Sequence, residues 1–343
     1  MVLNIIYNIM NINFLSVNNK QYIQIIPDIL YIKMESQNFP APITYVSQIQ
    51  VNSTEKNASG FYDQLNQMQY DNLQKFKEAL KTQNVIQNFD VYDDLYLLRF
   101  LRARKFDLEK TMLMFKNFLE WREKEKVDDI RENFDFTEMF EVKKFYPHSY
   151  HKTDKSGRPI YIEMISKVNL DELFKVTTEE RMTKYYIREY ERLMKRRFPA
   201  CSSVVKKPIE QSLTILDIQG IGVSHLVGKT KAFVQLASKI GQDYYPEMLG
   251  TMMLLNNGWF FSAAWAIIKN FVDEKTRKKI NMLGSSYQAK LLELVDAENL
   301  PSFLGGKCTC SHIEGGCLYS DIGPWNPTGG IKVGDHNTLI GQK

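Results

Sequence analysis

Residues 250–284 read GTMMLLNNGWFFSAAWAIIKNFVDEKTRKKINMLG, and the rest of the chain can be arranged around them. Thr251–Leu255 is an unbroken apolar run of strand length, the pattern of a strand covered on both faces as in a parallel sheet. Phe260–Val272 then places Phe260, Phe261, Trp265, Ile267, Ile268, Phe271 and Val272 around nearly the whole circumference of a helix. Such a helix has no face to offer water. It would span about 20 Å, short of a bilayer core of roughly 30 Å. It is therefore expected either to be buried as a core helix or to cover something apolar that enters and leaves. Lys275, Arg277, Lys278 and Lys279 follow at once. An apolar lid beside cations suits a pocket for one amphiphile; a core helix with a solvated charged end is the competing expectation.

The 343 residues are ample for a core, and a net charge of +4 is a mild basicity that favours anionic surfaces. No nucleic-acid motif is present and the basic residues are interleaved with acidic ones, so nucleic acid is not an expected partner. Four cysteines, Cys201, Cys308, Cys310 and Cys317, are too few for a disulfide scaffold at this length, which points to a reducing compartment. Residues 1–33 are rich in Ile and Asn, lacking both the uninterrupted run of a membrane span and the basic start of a signal peptide. They read as a disordered tail or as an extension upstream of a start at Met34.

From Phe61 to Lys81, Leu65, Met68, Leu73, Phe76 and Leu80 recur at helical spacing. Leu95, Leu98 and Leu101 share a second helical face beside Arg99, Arg102, Arg104 and Lys105. Asp107 reads as the N-cap of a third helix, striped by Leu108, Met112, Phe115 and Leu119. The basic run is expected either to be solvated and paired with Asp93, Asp94 and Asp107, or to meet a phosphate through the planar donor fork of arginine.

Beyond this helical lobe, Lys155–Arg158 is a tight-turn sequence, and Pro159–Met164 alternates with Ile160, Ile162 and Met164 on one side and Tyr161 and Glu163 on the other. Thr177 and Glu180 look like a capping box opening a helix to about Phe198, with Met182, Tyr186, Tyr190 and Leu193 buried and Pro199 after its end. Gln211–Ile218 is the next strand, followed by a helix over Thr230–Gly241, the opening stretch, a short strand at Lys279–Leu283 and a helix at Tyr287–Val295. Strands alternating with helices imply a mainly parallel sheet. Gly228-Lys229-Thr230 fails as a phosphate loop: that motif needs four residues after its first glycine, and here five follow Gly222 and seven follow Gly220. The five histidines lack metal-ligand spacing, and neither a nucleophile elbow nor a dinucleotide fingerprint occurs. Cys308, Cys310, His312 and Cys317 offer three sulfurs and an imidazole, but their spacing fits no standard zinc site. With Gly305-Gly306 and Gly315-Gly316 around them, they read as a structural loop, so no metal is expected.

LLRFLRARKFD, FYPHSYHKTDKSGRP, VTTEERM, EYERL, FPACS, TILDIQG, YYPE, LGSSYQ, AENLPSFLGG and SDIGPW, in this order, resemble the CRAL-TRIO lipid-binding family. The similarity is to its Sec-fourteen-type phosphatidylinositol/phosphatidylcholine transfer subgroup, over about Asp93 to Pro327. GGKCTC and EGGCL resemble that family too. The resemblance implies an α/β lipid-binding fold, mainly a parallel sheet with helices and an apolar gating helix, preceded by a small all-helical lobe. The expected divisions are a tail (1–60), the helical lobe (61–140), the lipid-binding domain (141–327) and a C-terminal tail (328–343).

By the same resemblance, Phe260, Phe261, Trp265, Ile267, Ile268 and Phe271 form the gate. Arg104, Lys105, Glu247 and Lys279 handle a phosphatidylinositol headgroup, and Tyr150, Tyr161, Ser212 and Thr214 handle phosphatidylcholine. Met248, where relatives often carry arginine, and Gly258 and Phe260 before the gate depart from the family pattern. The implied activity is non-enzymatic and cofactor-free: exchange of one lipid between membranes by a cytoplasmic protein that docks transiently on Golgi or other membranes. Two alternatives stay open, a sensor that presents lipid to a phosphoinositide kinase without net transport, and a binder of another hydrophobe.

Overall fold

The computed structural model describes residues 51, 54–55, 58–221, 233, 239–259, 261–262, 265 and 274–331. The helical lobe comprises α1 (Gln67–Thr82), α2 (Asp94–Ala103) and α3 (Leu108–Lys124). Each begins where a side chain satisfies an otherwise orphaned backbone N–H. Asn66 accepts from Gln69 N in a reciprocal capping box, Asp93 from Tyr96 N, and Asp107 from Lys110 N. Leu73, Phe76, Leu80, Leu98, Leu101, Phe115 and Phe118 interlock as its core. Two of the expected stripes are corrected: Met68 is 52% exposed, and α3 buries Thr111, Met114, Phe115 and Phe118, leaving Leu108, Met112 and Leu119 at the margin. The reason is a wider aromatic contact, with Phe115 and Phe118 both packed on Phe100 of α2.

Solvation of the basic run is also corrected for two of its members. Arg99 and Arg102 are buried, because they lie on the side of α2 that meets the α/β body. Arg102 Nη2 donates to Glu210 Oε2 at 2.8 Å and Nη1 to the Gly60 carbonyl. The acidic residues expected to screen them are engaged elsewhere, Asp94 with Lys77 and Asp107 with Lys110.

Next come α4 (Val127–Asn133), α5 (Met139–Phe145), β1 (His148–Thr153), β2 (Pro159–Met164), α6 (Leu170–Val176) and α7 (Glu179–Arg192). The hairpin turn is built by Asp154, whose Oδ1 accepts from the N–H groups of Ser156 and Arg158. Gly157 has φ +84, and a Cβ there would come within 2.3 Å of Val205. Thr178, not Thr177, caps α7, since Thr177 donates its hydroxyl to Glu138. Nor does that helix stop before Pro199. A π-helical segment, Leu193–Arg197, carries it into α8 (Phe198–Val205), and Pro199 falls just after the junction between the two.

The sheet continues with β3 (Ser212–Asp217), β4 (Leu249–Leu255) and, after α9 (Glu274–Lys278), β5 (Ile280–Met282). Its order is β1-β2-β3-β4-β5, parallel except for the β1–β2 hairpin. A register shift beside Ser212 leaves Gly250 as an extra residue, where a Cβ would stand 3.2 Å from the Ser212 carbonyl oxygen. One face, with Ile160, Ile162, Leu213, Ile215, Met253 and Leu255, packs against Leu291 of α10 (Gln288–Leu294) and Val295. The opposite face carries Leu216, Met252 and Leu254, and here Phe261 is buried with Trp265 beside it. Phe260, Ile267, Ile268 and Phe271 of the expected gate lie outside the described residues, as do Gly228–Thr230 and residues 1–33.

Candidate functional site

Alternation along a strand sends every second side chain to the same face. On β2 this delivers Tyr161 and Glu163, and on β3 Ser212, Thr214 and Leu216, to the face on which Phe261 packs. Parallel register aligns Tyr161 with Thr214, Thr214 with Met252, and Met252 with Ile280. Over this face lies a cavity of about 450 Å³, closed laterally by α7 and by Gly241–Leu249. Its size falls within the roughly 300–1,000 Å³ of small-molecule sites.

Tyr150, Tyr161, Ser212 and Thr214 all line the cavity. The rings of Tyr150 and Tyr161 are 5.1 Å apart, and one face of Tyr150 is covered by the Arg197 guanidinium at 4.0 Å. A cationic headgroup would therefore meet these rings from the Tyr161 side. Lys105 and Glu247 line the same cavity, and Lys279 reaches Glu247 Oε2 at 3.3 Å. Glu247 holds a positive φ of 60, and its carbonyl accepts from Arg99 Nη1. Arg104 is not on the wall. It is the C-terminal cap residue of α2, half-buried, with Nη1 on the Ala103 carbonyl. Arg102, one helical turn after Arg99 on the buried side, lines the cavity instead.

The wall also holds groups that the sequence reading did not assign to the site. Glu163 receives a hydrogen bond from the Tyr161 hydroxyl at 2.9 Å, and burial raises its pKa despite that bond and one from Tyr146. His148 faces the Tyr146 carbonyl through Nδ1 at 2.7 Å, so Nδ1 carries the proton and Nε2 accepts from the Tyr185 hydroxyl. Burial, with Lys143 nearby, pushes His148 down to about 3. Burial favours raising Glu189, yet Arg197, Arg192 and Arg188 together hold it below the ordinary carboxylate range. The strand alternation that exposed Tyr161 already carried Glu163. For His148, the spacing of two from Tyr150 in β1 was the available signal.

His312 is exposed and is not part of the group formed by the three loop cysteines. The imidazole beside their sulfurs belongs to His151, from the β1 edge strand.

A family model described as "CRAL/TRIO domain" matches residues 143–306, and another, "CRAL/TRIO, N-terminal domain", matches residues 69–117. The Sec14 cytosolic factor of Schizosaccharomyces pombe is 47% identical over 234 residues, covering 68% of this chain and 80% of that protein. The SEC14 cytosolic factor of Kluyveromyces lactis is 46% identical over 267 residues, covering 78% and 87% respectively. The phosphatidylinositol/phosphatidylcholine transfer protein SFH7 of Arabidopsis thaliana is 44% identical over 272 residues, covering 79% of this chain and 49% of its own. The chain thus spans about half the length of that plant relative. Among solved structures, the crystal structure of Sfh5 superimposes with a TM-score of 0.50 at 19% identity, covering 71% of this chain and 88% of that one, a likeness of fold.

Proposed function

The chain belongs to the CRAL/TRIO family, and from that premise we propose that it holds one phosphatidylinositol or phosphatidylcholine and exchanges it between membranes. The observation that carries this reading is one cavity with two sets of polar groups on its wall. Lys105 and Glu247, with Lys279 bonded to Glu247, suit a phosphorylated polyol: cations neutralise phosphate while the carboxylate accepts from hydroxyls. Arg102 also lines that wall, its charge already neutralised by Glu210. Tyr161, Tyr150, Ser212 and Thr214 suit a phosphocholine, with ring faces for the ammonium and hydroxyls for the phosphate.

Acyl chains have an apolar destination on the same sheet face, among Leu216, Met252, Leu254, Phe261 and Trp265. Each CH₂ taken from water there contributes about 0.8 kcal/mol. Two chains need more room than the cavity offers, so loading requires the segment containing Phe261 and Trp265 to lift from the sheet. In this reading the gate also takes in Phe260, Ile267, Ile268 and Phe271, which lie outside the described residues. Exchange makes and breaks no covalent bond, so every residue named binds rather than catalyses. Among the described residues no helix is long and apolar enough to cross a membrane, which fits a protein that docks transiently from the cytosol.

The decisive experiment is mass spectrometry of lipids extracted from the purified chain, followed by vesicle-to-vesicle transfer. Phosphatidylinositol and phosphatidylcholine, near one lipid per chain, are expected. A different hydrophobe, or no lipid after incubation with vesicles, would overturn the ligand assignment.

A further inference from the structure

Behind the cavity, on the other side of β1, Cys308, Cys310, Cys317 and His151 converge. Their four ligand atoms all lie within 4.8 Å of one another. We propose that these residues form a Cys₃His site for a zinc ion, bound through the three thiolates and His151 Nε2.

The hydrogen bonds of the imidazole already match those of a ligand. Ser320 Oγ donates to the Cys317 carbonyl at 2.9 Å, so its hydroxyl proton is committed. It must then accept from His151 Nδ1, 2.9 Å away, which places the ring proton on Nδ1. Nε2 is left with a lone pair, fully buried and without a hydrogen-bond partner. His151 itself is 0% exposed. A buried nitrogen left unsatisfied is costly, and metal coordination removes that cost. An imidazole held through its second nitrogen by a neighbouring polar group is also how protein metal ligands are ordinarily oriented.

The sulfurs agree with this geometry. A tetrahedral ion with metal–sulfur bonds of about 2.3 Å holds its sulfurs roughly 3.8 Å apart. Cys308 Sγ and Cys310 Sγ are 3.6 Å apart, and none of the cysteines is disulfide-bonded. The tight loop that brings them together has Cys310 at φ 47, with Gly315 and Gly316 at φ 79 and 65. Lys152, whose Nζ donates to the Glu298 carbonyl at 2.7 Å, stands close enough to Cys308 to offset part of the net negative charge of three thiolates around a divalent ion. Four ligands with N and S donors suit a closed structural site.

Such an ion would join β1 to the C-terminal segment that covers its edge, where Lys152 N donates to the Ile322 carbonyl. The same segment supplies Trp325, packed edge-on to Tyr150 at 6.4 Å, so the ion would brace the back of the cavity wall. The assignment does not depend on the lipid reading.

The test is elemental analysis of the full chain, purified under reducing conditions and desalted without chelator. About one zinc per chain is expected, released when a mercurial titrates the thiols. Cobalt replacement should give thiolate charge-transfer bands and the strong d–d absorption of a tetrahedral site. Cys317→Ser and His151→Ala should lose the metal, and Ser320→Ala should weaken binding about 10- to 100-fold. His312→Ala should keep it. His151→Cys should bind with a shifted cobalt spectrum, a readout that survives if His151→Ala fails to fold. Failure of the reduced chain to take up zinc or cobalt, an octahedral cobalt spectrum, or dependence on His312 rather than His151 would overturn the proposal.

Discussion

Replacing Lys279 with alanine isolates the charge assigned to the inositol phosphate headgroup. In the structure this ammonium is 14% exposed and bonded at 3.3 Å to Glu247, itself 12% exposed. A hydrogen bond to a charged group contributes about 1.5–3 kcal/mol. Against that stands the pair with Glu247, which must be shared or broken when a phosphate arrives; an ion pair of this partly exposed kind offsets roughly 0–1 kcal/mol. The net loss is then about 1–2 kcal/mol, or roughly 5- to 30-fold in affinity for phosphatidylinositol. Phosphatidylcholine, proposed to engage the Tyr161–Thr214 end, should change less than about twofold. The assay is transfer of each labelled lipid from donor to acceptor vesicles at limiting protein. A thermal melt verifies that the variant is folded. Equal loss of both activities, or undiminished phosphatidylinositol transfer, would refute the division of the wall into two headgroup sets.

Three further outcomes follow from the same geometry. Thr214→Val keeps the buried side-chain shape in the centre of the sheet but removes the hydroxyl; phosphatidylcholine transfer should fall about fivefold, the value of one hydrogen bond near 1 kcal/mol, with phosphatidylinositol transfer the control. Arg102→Ala strands the buried Glu210 carboxylate and should lower urea-unfolding stability by about 3–5 kcal/mol, whereas the double change Arg102→Met with Glu210→Leu should recover most of it. His148 stays neutral in the fold with a pKa of about 3 against an ordinary 6.5, so the unfolded chain takes up a proton that the folded chain refuses. Its stabilising contribution is complete above pH 6.5 and is lost as pH falls toward 3, at about 1.4 kcal/mol per pH unit. Unfolding at stepped pH should show that slope, and His148→Gln should flatten it.

Local pattern alone determined much of this protein. The apolar run before Asn256, the alternation of Pro159–Met164, the turn at Lys155–Arg158 and the cap at Asp107 each depend on neighbours a few residues away. The α/β class, the polar face of β2 and the resemblance to a lipid-binding family were therefore legible. Strand β1, HSYHKT, was not: it has no apolar alternation, yet His148, Ser149 and His151 are buried because other segments cover them. Nor could the sequence tell that Arg102 would be buried, since its partner Glu210 stands 108 residues away. In the chain, His312 is the histidine nearest the loop cysteines; in space it is His151, because the sheet edge and the C-terminal segment meet there. Backbone capping and periodicity act over one or two turns of chain and can be read from it. Burial of a charge, the shape of a cavity and the convergence of ligands depend on which distant surfaces close over one another, and packing alone decides that.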